Sequence, residues 1–178
     1  MTDSTAAHST AADSTAAPVL VLNGPNLGRL GTREPDVYGR LDHAGLTDRV
    51  RTWAGELGLI VDVRQTDDES ELVHWLHEAV DAGADVVLNP AAFTHYSYAL
   101  RDAAAQVTTA GLRLVEVHLT NPATRETFRH TSVIGGVATG TIAGFGVHSY
   151  RLALAALVRE VRADRADGAD GADREQGG

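Results

Sequence analysis

Two residues in the last third of the chain have the types and spacing for acid–base chemistry. Glu116 and His118 lie near the end of an apolar run, Leu112–Thr120, that has the composition of a strand. Side chains two positions apart in a strand point to the same face, so this carboxylate is expected beside this imidazole. A carboxylate in that position orients an imidazole, the side chain that ordinarily titrates near neutral pH. A lone histidine is more often a surface or core residue, so the pair needs support from elsewhere.

A second group of candidate residues follows the first apolar run, Val19–Asn23. The segment from Asn23 to Gly39 holds four glycines and two prolines. It is long for a connection between a strand and a helix, and such loops are usually functional or mobile, which suggests a lid. A phosphate-binding loop is the rival interpretation. However, the GxGxxG and GxxxxGK[ST] patterns are absent, and Pro25 removes a backbone donor from the turn.

A third polar group runs from Asn89 to Ser97, after another apolar run, and leads into a helical pattern that carries Arg101 and Asp102. Asn-Pro alone is only a turn signal. Three such groups at the ends of three predicted strands nevertheless favour a functional site.

The elements that must position these groups follow from hydrophobic periodicity. Short apolar runs alternate with longer amphipathic segments, which is typical of βα units around a parallel sheet. The predicted strands are Val19–Asn23, Leu59–Gln65, Asp85–Asn89, Leu112–Thr120 and a short one at Thr139–Ile142. Helical spacing predicts four helices, marked by Leu46, Val50, Trp53 and Leu57; by Leu72, Leu76, Ala79 and Val80; by Leu100, Ala103, Ala104 and Val107; and by Leu154, Leu157, Val158 and Val161.

This pattern predicts an α/β fold, a flavodoxin-like doubly wound five-stranded parallel sheet with helices on both faces. Ligands of such folds bind beyond the carboxyl ends of the strands, where the three polar groups are expected. The segment 1–17 lacks apolar periodicity and is predicted to be a disordered leader. The acidic, Gly-rich segment 163–178 is predicted to be a disordered tail. One folded domain, 18–162, remains.

Composition excludes several kinds of function. The 178 residues include no cysteine, so disulfides, thiolate metal sites and a cysteine nucleophile are ruled out, which fits a reducing cytoplasm. The formal charge of -9 argues against nucleic acid as the main partner. No apolar run approaches the roughly 18 residues of a membrane span, so no membrane partner is expected. His74 and His77 share a predicted helix face without convergent carboxylates, and we interpret them as surface residues rather than metal ligands.

Several motifs together resemble one enzyme family. In order, they are Asn-Gly-Pro-Asn-Leu from Asn23, Gly-x-Arg-Glu-Pro with a following Tyr-Gly, Leu-Asn-Pro with Thr-His, Glu-Val-His, and Glu-x-Phe-Arg. Their order and spacing over about Val19 to Ala163 are similar to those of the type II 3-dehydroquinate dehydratases, or type II dehydroquinases. That resemblance implies a cofactor-free, cytoplasmic lyase of the shikimate pathway or of quinate breakdown, which dehydrates 3-dehydroquinate to 3-dehydroshikimate by anti elimination through an enolate.

The resemblance also implies the role of each site residue. Tyr38 would accept the proton, Arg33 would favour its phenolate, His118 would be the general acid held by Glu116, and Asn26 would anchor the water that stabilises the enolate. The substrate would be held by Asn89, His95, Asp102, Leu119, Thr120 and Arg129. No metal is implied. Thr120 stands where the family usually has Ser, which keeps a hydroxyl, and Tyr96 stands where Thr is common.

The family also forms dodecamers built from trimers, in which the carboxylate matching Asp102 reaches a neighbouring subunit's site. Other interpretations stay open at this level. One is a flavodoxin-like module that binds a nucleotide or flavin, and a flavin module would show a bound chromophore. A receiver-type signalling domain is weakened because the first strand ends in Asn-Gly-Pro rather than in paired acids. A catalytically inactive relative is disfavoured because every proposed catalytic residue is present.

Overall fold

Five parallel strands form one sheet in the computed structural model, which describes residues 18–31 and 41–158. The strands are β1 (Val19–Asn23), β2 (Val61–Gln65), β3 (Val86–Asn89), β4 (Leu114–His118) and β5 (Gly140–Ala143). Their order across the sheet is β2-β1-β3-β4-β5, and every pair is parallel. This is the flavodoxin-like order, so the predicted fold is confirmed.

The described ranges hold four α-helices, of which the first three connect strands and the last follows β5. They are α1 (His43–Glu56), α2 (Glu69–Ala82), α3 (Tyr98–Thr109) and α4 (His148–Leu157). Each matches one predicted helical pattern, although Val161 of the last pattern lies outside the described residues. The predictions for segments 1–17 and 163–178 lie outside them too.

The fourth strand is shorter than predicted, and the backbone hydrogen bonds give the reason. Leu112 N donates to Val107 O at the end of α3, so Leu112 belongs to the turn after Gly111, whose φ is +79°. At the other end, His118 O accepts hydrogen bonds from Gly144 N and from the Ser149 hydroxyl. The bond from Gly144 N is the last one of the ladder with β5, because Leu119 O accepts instead from Gly146 N, so β4 ends at His118 and Thr120 lies beyond it.

Helices cover both faces of the sheet. Alternate residues of β1 point to opposite sides, and all five are buried. Val19 and Val21 pack in one core with α1 and α4. Leu20 and Leu22 pack in the other core with α2 and α3. The two-sided burial explains why the central strands read as continuous apolar runs, which is typical of parallel sheets.

The helix starts are fixed by polar side chains. Asp42, Asp68 and Ser97 each accept a hydrogen bond from a backbone amide in the first turn of α1, α2 and α3, respectively. Gly83 ends α2 in the left-handed conformation, at φ +65°. No helix in the described ranges is long and apolar enough to cross a membrane.

The sheet register brings the ends of the central strands together. Asn23, the last residue of β1, lies opposite Asn89, the last residue of β3, and Leu88 lies opposite Glu116 on β4. Since all strands run the same way, the loops that follow β1, β3 and β4 meet at one edge of the sheet. This edge includes the switch point between β1 and β3, where doubly wound folds bind ligands.

Candidate active site

A pocket opens at the carboxyl ends of β1, β3 and β4. Its wall is formed by the loops that follow these strands and by the 3-10 turns after β4. Seven of the predicted site residues line it: Asn26, Asn89, His95, His118, Leu119, Thr120 and Arg129. Residues that are far apart in sequence are therefore brought together as the strand-end argument predicted.

The acid–base pair lies at the wall of this pocket. His118 Nε2 is 2.8 Å from Glu116 Oε1, and the two side chains lie on the same face of β4. The imidazole is 12% exposed, whereas the carboxylate has no exposed surface. Glu116 thus lies behind the ring, and the histidine is the member of the pair that a ligand can reach.

The buried Glu116 carboxylate is surrounded by hydroxyl donors. Thr94 donates to Oε1 at 2.5 Å, and the Ser132 hydroxyl lies 3.0 Å from Oε2. Burial raises the pKa of Glu116, but hydrogen bonds from His118, Thr94 and Ser132 outweigh it and hold the pKa below its ordinary value. The carboxylate is therefore ionised at neutral pH and can hold a charged imidazole.

Two residues at the pocket have an unusual backbone. Asn26 and Ala91 both line the pocket, and they adopt positive φ angles of 68° and 50°, respectively. Such angles are rare for residues other than glycine and concentrate at functional sites. The Asn26 turn is held by Asp67, whose Oδ1 accepts from the Asn26 amide at 2.8 Å.

A close approach of two backbones supports the same region. Gly24 N donates to Asn89 O at 2.8 Å, which joins the loop after β1 to the loop after β3. A Cβ atom at Gly24 would lie 2.9 Å from Pro90 O. Only glycine fits without moving these loops apart, so this position needs a residue without a side chain.

The charge of the pocket wall is positive. Arg29, Arg125 and Arg129 line it, and none of the described residues that line it is an aspartate or glutamate. Arg129 is held by Glu126, at 2.8 Å. The neighbouring His95 has its Nδ1 2.8 Å from Thr131 O. A negatively charged ligand, such as a carboxylate, suits this wall although the chain as a whole is acidic.

Comparison with known proteins decides the family. The class II dehydroquinase model matches residues 17–158. The chain belongs to the class II dehydroquinase family. Among relatives, the 3-dehydroquinate dehydratase of Salinispora tropica is 60% identical over 136 residues, which cover 76% of this chain and 93% of the relative. The 3-dehydroquinate dehydratase 2 of Pseudomonas aeruginosa is 53% identical and covers 76% and 90%, respectively.

Solved structures agree with this assignment. The type II dehydroquinase of Propionibacterium acnes superposes with a TM-score of 0.77 at 50% identity, over 80% of this chain and 97% of that one. The type II dehydroquinase of Butyrivibrio crossotus gives a TM-score of 0.75 at 38% identity, over 78% and 95%. The resemblance read from the motifs is therefore confirmed.

Four predicted site residues of this class II dehydroquinase are absent from the described pocket lining, and one of them, Glu116, lies behind His118. Arg33 and Tyr38 lie outside the described residues. Asp102 lies on α3 with 71% of its side chain exposed, pairs with Arg101 at 2.8 Å, and does not line the pocket of its own chain.

Other contributors to this dehydroquinase site were missed by sequence reasoning. Thr94 and Ser132 contact Glu116, while Arg29 and Arg125 line the pocket. Thr94 and Arg29 lie inside the polar segments that the motifs singled out, so they carried a signal. Ser132 and Arg125 follow no strand directly. Among residues 18–31 and 41–158, no three His, Cys, Asp or Glu residues form a metal cluster.

Proposed function

We propose that this chain dehydrates 3-dehydroquinate to 3-dehydroshikimate by anti elimination through an enolate. The observation that carries the proposal is the buried Glu116 carboxylate in contact with His118 at the wall of an arginine-lined pocket. Family membership supplies the substrate, because the relatives bear the name 3-dehydroquinate dehydratase.

The elimination needs a base, a stabilised enolate and an acid. Tyr38 is proposed to remove the proton next to the ketone. A phenol ordinarily has a pKa of about 10, so the base role requires a neighbouring cation, which Arg33 would supply. The Asn26 side chain would anchor the water that donates to the enolate oxygen. This asparagine lies at the pocket in a turn fixed by Asp67.

His118 is proposed to protonate the departing hydroxyl. Its contact with the ionised Glu116 fixes the direction of the ring. The bond from carbon to the hydroxyl breaks as the enolate collapses, and the proton from His118 goes to the leaving oxygen as water. His118 returns to its charged form by taking a proton from solvent, and Tyr38 releases the proton that it removed.

The substrate is proposed to be held by Asn89, His95, Leu119, Thr120 and Arg129, with Asp102 reaching in from a neighbouring subunit. The amides of Leu119 and Thr120 and the Thr120 hydroxyl would bind the substrate carboxylate, while Arg129 and Asp102 would bind ring hydroxyls. The cationic wall supports the carboxylate assignment. Every proposed step has a side chain, so no cofactor or metal ion is proposed.

We also propose assembly into a homo-oligomer, a dodecamer built from trimers. Support comes from two exposed aromatic side chains. Tyr98 and Phe128 are 69% and 58% exposed, respectively, and the Phe128 ring contacts His95 edge to face. Tyr98 also lies one helical turn before Asp102 on α3. Large exposed aromatic side chains suit a subunit interface. An interface at Tyr98 would place Asp102 near the pocket of a neighbouring subunit.

The domain is proposed to span residues 18–162, with segments 1–17 and 163–178 outside it, and the enzyme is proposed to act in the cytoplasm. Biosynthesis of aromatic amino acids and quinate breakdown both use the proposed reaction.

The proposed reaction is tested with substrate that carries deuterium at one of the two diastereotopic positions next to the ketone. Anti elimination removes the hydrogen on the face opposite the departing hydroxyl, so only one labelled isomer yields unlabelled product. Loss of label from both isomers contradicts the mechanism. Exhaustive treatment with a chelator is expected to leave the rate unchanged. Activity that is lost with chelator and restored by a divalent ion contradicts the cofactor-free proposal.

A further inference from the structure

A buried chain of side-chain hydrogen bonds lies beneath the pocket. The Tyr150 hydroxyl, on α4, donates to Asn23 Oδ1 at 2.5 Å and accepts from Asn89 Nδ2 at 2.9 Å. Tyr150 and Asn23 have no exposed surface, and Asn89 is 3% exposed. Of the three residues, only Asn89 lines the pocket. This series of hydrogen bonds therefore connects α4 to Asn89, one residue of the site.

Backbone groups at both ends fix the direction of this chain. Asn23 Nδ2 donates to Arg64 O at 3.1 Å, and a carbonyl can only accept. Asn23 must then present its oxygen to Tyr150, which makes the tyrosine hydroxyl a donor toward Asn23. That hydroxyl has one proton, so it can only accept from Asn89.

The far end gives the same direction independently. Ala91 N donates to Asn89 Oδ1 at 3.2 Å, and a backbone amide can only donate. The Asn89 oxygen must therefore face Ala91, and its nitrogen must face Tyr150. The opposite orientation of the Asn89 amide would place two donors against each other at Ala91.

We propose that Tyr150 is a positioning residue that locks the side-chain amide of Asn89 in one orientation for substrate. The inference rests on the proposed function, in which Asn89 contacts 3-dehydroquinate. One N–H and one lone pair of the Asn89 amide are engaged by Tyr150 and Ala91. The other N–H and the other lone pair then have fixed places, so the pocket meets a donor and an acceptor in a defined arrangement.

The chemistry of Tyr150 suits this role. Burial raises its pKa far above the ordinary value for a phenol, although the hydrogen bond from Asn89 opposes the rise. The hydroxyl stays protonated throughout the working pH range of the protein, so its donor role toward Asn23 does not change. Tyr150 does not line the pocket, so it acts through Asn89.

The test compares Tyr150→Phe with Asn23→Ala. The first variant removes the hydroxyl, and the second removes the acceptor that makes the hydroxyl point away from Asn89, together with the hydrogen bond from Asn23 to Arg64 O. Both are expected to raise KM for 3-dehydroquinate about three- to tenfold, the equivalent of one hydrogen bond, with a smaller change in kcat. The double variant is expected to show less than the product of the two effects, because both residues act through Asn89.

A destabilised variant serves as the control. Leu154→Ala removes a fully buried side chain of the same helix that takes no part in the hydrogen-bond chain. It should lower the melting temperature and leave KM unchanged. Should Tyr150→Phe fail to fold, Asn23→Ala carries the comparison with the same control.

The orientation of the Asn89 side-chain amide can also be measured without substrate. The chain has only four asparagines, at positions 23, 26, 89 and 121, so selective ¹⁵N labelling resolves each side-chain amide by NMR. In the full-length wild type the Asn89 amide should resist hydrogen exchange, and both variants should lose this protection. Unchanged protection in both variants, or lost protection with unchanged KM, overturns the proposal. If the wild type does not convert 3-dehydroquinate, the proposed function fails, and the exchange measurement still decides whether Tyr150 orders Asn89.

Discussion

At the scale of single residues, the burial of Glu116 is the feature on which the account depends most. A carboxylate with no exposed surface is costly unless donors surround it, and here His118, Thr94 and Ser132 do so. The pairing of Glu116 with His118 followed from strand alternation. Thr94 and Ser132 come from other segments, 22 and 16 residues away, and no local spacing rule connects them to Glu116.

The first prediction concerns Glu116→Gln. The folded-state pKa of Glu116 lies below the ordinary value of 4.5, so its ionised form stabilises the fold above about that pH. This contribution is lost as the pH falls through the lower folded pKa. The amide variant should be about 1–3 kcal/mol less stable at pH 7, because an NH₂ group would face donors. Urea unfolding at equal protein concentration measures the difference, which should shrink only as the pH falls below about 4.5; a difference that does not shrink below that pH contradicts the assignment.

The second prediction concerns His118→Ala. Removing the acid should stall the reaction after proton abstraction, so dehydration is expected to fall by a factor of about 10²–10⁴. Exchange of the substrate's acidic hydrogen with deuterated water should outlast product formation. NMR of the substrate in D₂O measures the exchange. Equal loss of exchange and dehydration would leave His118 without the role of acid.

At the scale of elements, hydrophobic periodicity was sufficient to predict the five strands and four helices. The majority of strand ends differ from the predicted ones by one or two residues. Periodicity could not predict the turns at the pocket. The left-handed Asn26 is held by a tertiary contact, from its amide to Asp67, and the left-handed Ala91 by a local one, from its amide to the Asn89 side chain. Alanine in particular gives no sequence signal for a positive φ.

The third prediction tests the contact between the loops after β1 and β3. Gly24→Ala places a methyl group against the backbone carbonyls of Pro90 and Asn89. Because backbone atoms cannot rotate away as a side chain can, the loops must separate. We expect a loss of about 1–3 kcal/mol in unfolding free energy and a larger fractional loss in kcat/KM, because Asn26 and Asn89 move. Gly55→Ala is the matched control, since a Cβ atom at Gly55 meets nothing within 4 Å. Equal effects of the two variants would show that the contact does not position the site.

At the scale of the whole molecule, one chain gives an incomplete account of the site. Among the described residues, Asp102 is exposed and does not line the pocket. Hydrophobic periodicity in a single sequence predicts the fold of one chain. A contact between an exposed carboxylate and a second chain has no such pattern in the sequence. The oligomer was therefore reached by resemblance and remains a proposal.

The fourth prediction tests the shared site. Asp102→Ala should lower kcat/KM while the melting temperature stays nearly constant, because the side chain is exposed in the isolated fold. Asp81→Ala, an exposed aspartate on α2, should change neither. A chain trimmed to residues 18–162 should assemble into the same number of subunits, as measured by light scattering, and should keep its activity. A fully active monomer would show that the shared-site proposal is wrong.

The most direct test of the account is the conversion of 3-dehydroquinate by the purified full-length chain, followed in the ultraviolet as the conjugated carboxylate of the product forms. His118→Ala and Tyr38→Phe, measured beside it at matched concentration, report on the acid and the base. We expect steady turnover by the wild type. In both variants the conversion rate should fall to near the background rate, with the fold intact by circular dichroism. No turnover by the folded wild type, or near-normal turnover in either variant, would contradict it.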